Sequence, residues 1–360
     1  MKNNYAYNHK PIKFDFQQSI ERFFVEEIPL YKPTGKGNFL ILKIKKQDMS
    51  SWKLVTVIAK ATGLAERDIG YAGLKDKSAT TIQYISIPKN VEKFLNKNLT
   101  TDKVKILERY YNKSPIKIGE LKGNRFVIKL HKVSKSEAQN ITNISTKLAR
   151  LGFPNYFGYQ RFGEDSLSYE QGKEIAESGK RLKGVKEKLL VASYQSHLFN
   201  SWLSSRVNLS TIITHNSINN ASKILSYPKE LVKVLSKQPQ FFKLFIGDVV
   251  TPYPYGKSRF VRDMSSSATL FKEAKIAPTG LLCGENAIRA KSDAYHLEEP
   301  FDDRELYALK GDRRLAWIWA EDLSTSYDEK SKEFIIGFYL PKGSYATTFL
   351  EEIAKQKLVS

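Results

Sequence analysis

Three stretches of this sequence bring together side chains able to do chemistry. In the first, Gly70-Tyr71-Ala72-Gly73-Leu74-Lys75-Asp76-Lys77-Ser78-Ala79-Thr80-Thr81-Ile82-Gln83, a lone carboxylate stands between two cations just ahead of a β-rich run. The glycines allow a tight backbone path. The neighbouring charges favour an ionised Asp76, which suits it to nucleophilic or acid–base work. A structural Asp–Lys turn has the same composition. The second stretch, Pro154-Asn155-Tyr156-Phe157-Gly158-Tyr159-Gln160-Arg161-Phe162-Gly163, offers rings, amides and a guanidinium within ten residues. Aromatic faces and amides are what a base drawn out of its stack requires, whereas a core turn would use the same rings for packing. The third, Leu340-Pro341-Lys342-Gly343-Ser344-Tyr345-Ala346-Thr347-Thr348, places a basic residue beside a helix start. That arrangement can hold a phosphate, and ordinary capping explains it as well.

The elements that must position these stretches are legible from periodicity. Phe14 to Leu30 reads as extended structure with an acidic turn at Glu26-Glu27. Leu40, Leu42 and Ile44 alternate as in a half-buried strand. Val55, Ile58, Ala59 and Thr62 have helical spacing, and Gly63 is a natural stop. Thr81 to Pro88 is β-rich, and Phe126, Ile128 and Leu130 alternate again. Ser134 and Glu137 have capping-box spacing, opening a helix that turns Ile141, Ile144, Leu148 and Leu151 inward and ends at Gly152 and Pro154. Leu189 to Val207 reads as a long helix with Leu190, Tyr194, Leu198 and Trp202 on one stripe. Strand pattern returns at Arg314 to Trp319 and Phe334 to Leu340, and Ser344 is the expected N-cap of a last helix. Sheet, a different block and sheet again predict one domain inserted into another.

The bulk properties narrow the function. The chain has 360 residues and a formal net charge of +20, from 58 Lys and Arg against 38 Asp and Glu. Such a field attracts polyanions. With 19 Tyr and 20 Phe, the chain has both the charge that phosphates want and the flat faces that unstacked bases want. The single cysteine, Cys283, rules out an intrachain disulfide or a paired-cysteine metal site and reads as a small buried residue. The five histidines lack metal-ligand spacing, so no metal is expected. Met1 to Tyr5 is not followed by an apolar stretch, so neither a signal peptide nor a membrane association is expected, and the cytoplasm is the expected compartment. No glycine-rich cofactor loop of the GxGxxG kind is present, which argues against an RNA methyltransferase.

Taken together, the chain closely resembles the TruD family of pseudouridine synthases. The matching stretches are SIERFFVEEI (19–28), GYAGLKDKSATT (70–81), ELKGNRFVIKL (120–130), PNYFGYQRFG (154–163), ASYQSHLFNSWLSSR (192–206) and LPKGSYATTFLEE (340–352), in the family's order. The resemblance implies isomerisation of uridine to pseudouridine in tRNA, at position 13, without a metal or organic cofactor. tRNA is the expected partner, no protein partner is implied, and a monomer is expected. It makes Asp76 the catalytic carboxylate and places Phe23, Asn155, Phe157 and Tyr345 around the substrate, with Lys75 and Arg161 as supporting charges. The implied fold is α/β of the α+β type. Residues 1–180 and 313–360 would form a catalytic domain on a mixed, largely antiparallel sheet, interrupted by an inserted domain at 181–312.

The sequence departs from the family's pattern at Glu21-Arg22-Phe23, where Glu-Asp-Phe is common. A lysine found upstream in some relatives is replaced by Gln17 or Gln18, so Lys13, Arg22 or Arg161 is left to face the carboxylate. Lys183, Lys186 and Lys188 lie where an inserted domain would begin and could grip an RNA backbone. A catalytically silent RNA-binding or chaperone protein on the same scaffold is the rival reading. The intact Asp76 and 154–163 segments argue against it.

Overall fold

A computed structural model describes residues 3–95, 102–163, 167–179, 182, 184–307 and 309–358. The strands, in chain order, are β1 (Phe23–Pro29), β2 (Phe39–Gln47), β3 (Gly70–Tyr71), β4 (Thr80–Pro88), β5 (Val104–Asn112), β6 (Leu121–Leu130), β7 (Phe153–Pro154), β8 (Val249–Pro252), β9 (Arg259–Phe260), β10 (Ile276–Leu282), β11 (Asp312–Leu315), β12 (Trp317–Ile318), β13 (Glu321–Asp328) and β14 (Glu333–Pro341). Two compact units share them. A sheet unit holds Ile12–Thr146 and Ala320–Gly343, and a helical unit holds Met1–Pro11, Lys147–Trp319 and Ser344–Val359.

The sheet unit is built on an eight-stranded sheet in the order β13-β14-β6-β1-β4-β2-β5, with β3 against β4. Only β1 and β4 run parallel among these pairs, so the sheet is mixed and largely antiparallel, as expected. Register follows the apolar alternation: Phe126 faces Phe338 and Ile128 faces Ile336 across β6 and β14, all four buried. A slip by one residue would turn this whole set to the opposite face. Helix α1 (Ser51–Thr62) lays Leu54, Val55 and Ile58 on Leu40, Leu42, Ile44, Ile85 and Ile87. Each such side chain, fully buried, stabilises by about 1.5–3 kcal/mol. Ser50 caps the start of α1 by accepting from the Lys53 amide at 3.2 Å, and Gly63 ends the helix at φ 73°. That left-handed backbone is one glycine adopts without a Cβ clash.

Glu26 and Glu27 are a correction to the sequence reading. They lie inside β1, not in a turn. The strand tolerates them because each has a cation: Lys43 is 3.2 Å from Glu26, and Lys75 is 2.6 Å from the buried Glu27. The capping box is present, with the Ser134 amide donating to Glu137 and the Glu137 amide donating to Ser134. Helix α2 (Lys135–Leu151) buries Ala138, Ile141, Ser145 and Leu148, while Leu151 is 42% exposed in the last turn.

In the helical unit, α3 (Ser168–Glu177) packs on the long helix α4 (Val185–His215). Around α4 gather α5 (Ile218–Leu225), α6 (Lys229–Ser236), α8 (Ser292–Glu298) and β10. Helix α7 (Met264–Lys272) packs on β10, the second strand of a four-stranded sheet ordered β11-β10-β8-β9. The expected single stripe on α4 is too narrow a description. Phe199, Trp202, Leu203 and Val207 are all buried, as are Ser193, Ser196, Ser201, Ser204 and Ser210 between them. A helix covered on most sides is a core helix, not an amphipathic surface one. The last helix, α9 (Ala346–Ala354), is buried along its whole length. Its N-cap is Tyr345, not Ser344, whose buried hydroxyl has no hydrogen-bond partner among the described residues.

Candidate active site

In the sheet unit, Asp76 sits in the loop between β3 and β4, and three neighbouring elements fix that loop. Helix α1 supplies Ser51, whose Oγ accepts from the Lys75 amide at 2.9 Å and donates to Gln83 on β4 at 2.9 Å. Strand β2 supplies Lys46, whose Nζ donates to the Asp76 carbonyl oxygen at 3.1 Å and to the Met49 carbonyl. Strand β1 supplies Glu27, paired with Lys75. The backbone on either side of the carboxylate is therefore tied to the sheet and to a helix N-terminus.

Asp76 itself is half-buried. Burial pushes its carboxyl above the ordinary carboxylate range, and the charges of Lys46 and Lys75 pull it back only in part. The sequence reading expected cations to dominate. The outcome differs because Lys75 spends its charge on Glu27 and Lys77 is exposed. Lys46 is fully buried, and burial brings its own pKa down to about 8. The charges that act on Asp76 are thus Lys46 and Lys75 rather than Lys13 or Arg22. Lys13 is exposed, and Arg22 lies 3.8 Å from Asp15. Arg161 belongs to the helical unit. Phe23 is 2% exposed and packs on Phe16 and Phe126, each with ring centroids 6.1 Å away.

In the helical unit a second group forms around Phe157, which is 9% exposed. Its ring meets the edge of Phe199 at 5.6 Å and Tyr345 at 6.1 Å. Asn200 on α4 holds the Phe157 backbone from both sides: its Oδ1 accepts from the Phe157 amide at 2.8 Å, and its Nδ2 donates to the Phe157 carbonyl at 3.0 Å. Gly158 lets Tyr345 and Thr347 close in. A Cβ there would lie 2.9 Å from Thr347 Oγ1 and 3.1 Å from Tyr345 Cδ1. Arg161 reaches across to α4, donating from Nε to Ser196 at 3.0 Å. Arg314, on β11, lies over the Phe157 ring with Cζ 3.8 Å from the centroid.

Asn155 is 1% exposed, and its amide is engaged internally. Nδ2 donates to the Leu315 carbonyl at 2.9 Å, and Oδ1 accepts from Arg314 at 3.2 Å. Lys46, Asn200 and Arg314 were not singled out from sequence. Two of them carried a readable signal. Asn200 is an amide in an apolar helix inside the matched 192–206 stretch, and Arg314 belongs to an arginine pair opening a β run. Lys186 and Lys188 are exposed on α4, while Lys183 lies outside the described residues. Cys283 is fully buried. Among the described residues no three His, Cys, Asp or Glu side chains gather as a metal site would require, and no helix is long and apolar enough to cross a membrane.

The sequence pattern of the family described as tRNA pseudouridine synthase D (TruD) matches residues 2–181. The tRNA pseudouridine synthase D of Nitratiruptor sp. is 46% identical over 98% of this chain and 97% of its own length. That of Wolinella succinogenes is 43% identical over 99% of both chains, and that of Campylobacter jejuni is 43% identical over 98% and 96%. A crystal structure from Methanosarcina mazei, assigned as a tRNA pseudouridine synthase D, superposes with a TM-score of 0.71 at 21% identity, covering 99% of this chain and 97% of that one; it shares the fold. The chain belongs to the TruD family of tRNA pseudouridine synthases.

Proposed function

We propose that this protein isomerises uridine to pseudouridine in cytoplasmic tRNA, at position 13, with Asp76 as the reacting carboxylate. The observation that carries the reading is the Asp76 loop, which presents a half-buried carboxylate and whose backbone is tied down by Lys46 and Ser51, in a chain 46% identical along its length to a tRNA pseudouridine synthase D. The reaction breaks the N1–C1′ bond, turns the base and joins C5 to C1′. The hydrogen leaving C5 is balanced by the one gained at N1, so the reaction is a redox-neutral isomerisation. A carboxylate serves it either by attacking the sugar or by assisting glycal formation. The detached base must be held meanwhile. Phe157 and Tyr345 supply ring faces for that purpose, with Asn155 and Arg161 behind them, while Phe23 and Lys75 shape the carboxylate's side.

Residues 181–312 are read as an inserted block that gives affinity for tRNA through exposed cations such as Lys186 and Lys188, and the protein is read as a monomer. Phosphate contacts of that kind position the RNA without reading its sequence. The test is to map pseudouridine in tRNA from cells with and without the gene, and in unmodified tRNA after incubation with the purified protein. Loss of one pseudouridine in the deletion strain and its restoration in vitro support the reading. An unchanged map together with no product in vitro contradicts it.

A further inference from the structure

Arginines buried in the helical unit have carboxylate partners. Arg206 is 2.7 Å from Asp248, and Arg313 is 2.6 Å from Glu298. Arg314, next in the chain to Arg313, has none among the described residues. Its Nε and Nη2 are spent on the Asn155 carbonyl (3.3 and 3.1 Å), the Asn155 side-chain oxygen (3.2 Å) and the Tyr156 carbonyl (3.3 Å). Those bonds fix the plane of the guanidinium over Phe157 and leave Nη1 with no acceptor among the described residues. Phe199 and Tyr345 also lie beside it, at 5.3 and 5.9 Å from Cζ.

A second cation, Arg161, flanks the same ring at 5.7 Å. It too lacks a carboxylate partner among the described residues, donating to Ser196 and the Ala192 carbonyl instead. Two like charges beside one ring oppose each other, and burial makes the opposition worse. Burial brings the Arg314 pKa down to about 10, and Arg161 adds to the effect. An arrangement of this kind is relieved by an anion. A planar fork held rigid on one side is suited to a phosphate on the other.

We propose that Arg314, with Arg161 beside the same ring, binds a backbone phosphodiester next to the uridine being isomerised, and that Asn155 is a positioning residue that acts by holding Arg314. The inference rests on the proposed activity for the identity of the nucleotide. The ring of Phe157 sets the height of the guanidinium, and Asn155 sets its rotation.

The experiment uses full-length tRNA assembled by ligation, with a neutral methylphosphonate replacing the linkage on the 5′ or the 3′ side of the target uridine. Single-turnover rate and equilibrium binding are measured for the wild type, Arg314→Gln, Arg314→Lys and Asn155→Ala. Neutralising one of the two linkages should cost the wild type about tenfold or more in rate or affinity, the worth of a charged hydrogen bond. Arg314→Gln and Asn155→Ala should be weaker on native tRNA and nearly indifferent to the same neutral linkage, a coupling expected of direct partners. Arg314→Lys keeps a charge without the fork and should retain part of the sensitivity. The proposal is overturned if neither linkage matters to the wild type, a comparison that holds even if a variant fails to fold. It is also overturned if Arg314→Gln loses as much as the wild type. If the wild type makes no pseudouridine yet loses affinity for one neutral linkage, the proposed activity fails and the phosphate site stands.

Discussion

Lys46 Nζ lies 3.1 Å from the carbonyl oxygen of Asp76 and is fully buried. A buried ammonium so close to the carboxylate's own backbone both holds the loop and supplies positive potential. Burial raises the Asp76 carboxyl, and Lys46 is the strongest charge opposing that rise. If the ionised carboxylate reacts, single-turnover rate climbs with pH through the Asp76 pKa. Lys46→Gln removes the charge that favours ionisation, so the acid limb should move to higher pH. The pKa of Lys46 itself is brought down to about 8, so the wild type loses the same charge above that pH. The gap between variant and wild type should therefore be widest below pH 8 and narrow above it. A parallel drop at every pH would assign Lys46 a purely structural role.

The pair of Lys75 and Glu27 makes a prediction about stability. They lie 2.6 Å apart with side chains 4% and 1% exposed. Glu27→Gln leaves a buried cation without its partner, which costs about 3–5 kcal/mol. The urea midpoint should fall accordingly. Adding Lys75→Met to Glu27→Gln should recover much of that loss, because no charge is then stranded. A Glu27→Gln protein as stable as the wild type would contradict the burial of the pair.

Phe157 combines packing with the proposed contact to the base. Removing the ring as Phe157→Ala strips packing from Phe199, Tyr345 and Arg314, and core truncations of this kind cost about 3–5 kcal/mol. Phe157→Leu keeps most of the volume and loses the ring faces. It should stay folded and lose about 1–3 kcal/mol of stacking, read mainly in turnover. A Phe157→Leu enzyme with unchanged turnover would make the ring a core element only.

The parts of this fold that were legible in the sequence are those governed by neighbours along the chain. Phe126, Ile128 and Leu130 alternate because one face of β6 is buried, and Ser134 with Glu137 closes a local capping box. The Asp76 loop stands out for the same reason, since its glycines and charges are adjacent. What escaped depends on contacts between distant segments. Lys46 is one of several lysines in a run with Lys43 and Lys45, and only the pairing of β2 with β4 buries it beneath the Asp76 loop. Glu27 looked like a turn residue because its partner, Lys75, lies far along the chain.

Ala176 shares one apolar cluster with Val191, Tyr194, Leu281, Cys283 and Leu306. Excising 181–312 would strip that cluster, so the block is better probed by neutralising Lys186 and Lys188 than by removal. Arg314 could not be connected to Phe157 from sequence, because strand pairing of β7 with β12 is what carries it there.

The most direct measurement is the single-turnover rate of Asp76→Asn on unmodified tRNA at saturating protein, with folding checked by thermal melting and tRNA binding measured alongside. An amide is nearly isosteric with the carboxylate but can neither attack C1′ nor take a proton as a carboxylate does. The account predicts a folded protein that binds tRNA about as well as the wild type and makes pseudouridine at least roughly a thousandfold more slowly. Pseudouridine formation by Asp76→Asn at close to the wild-type rate would contradict it.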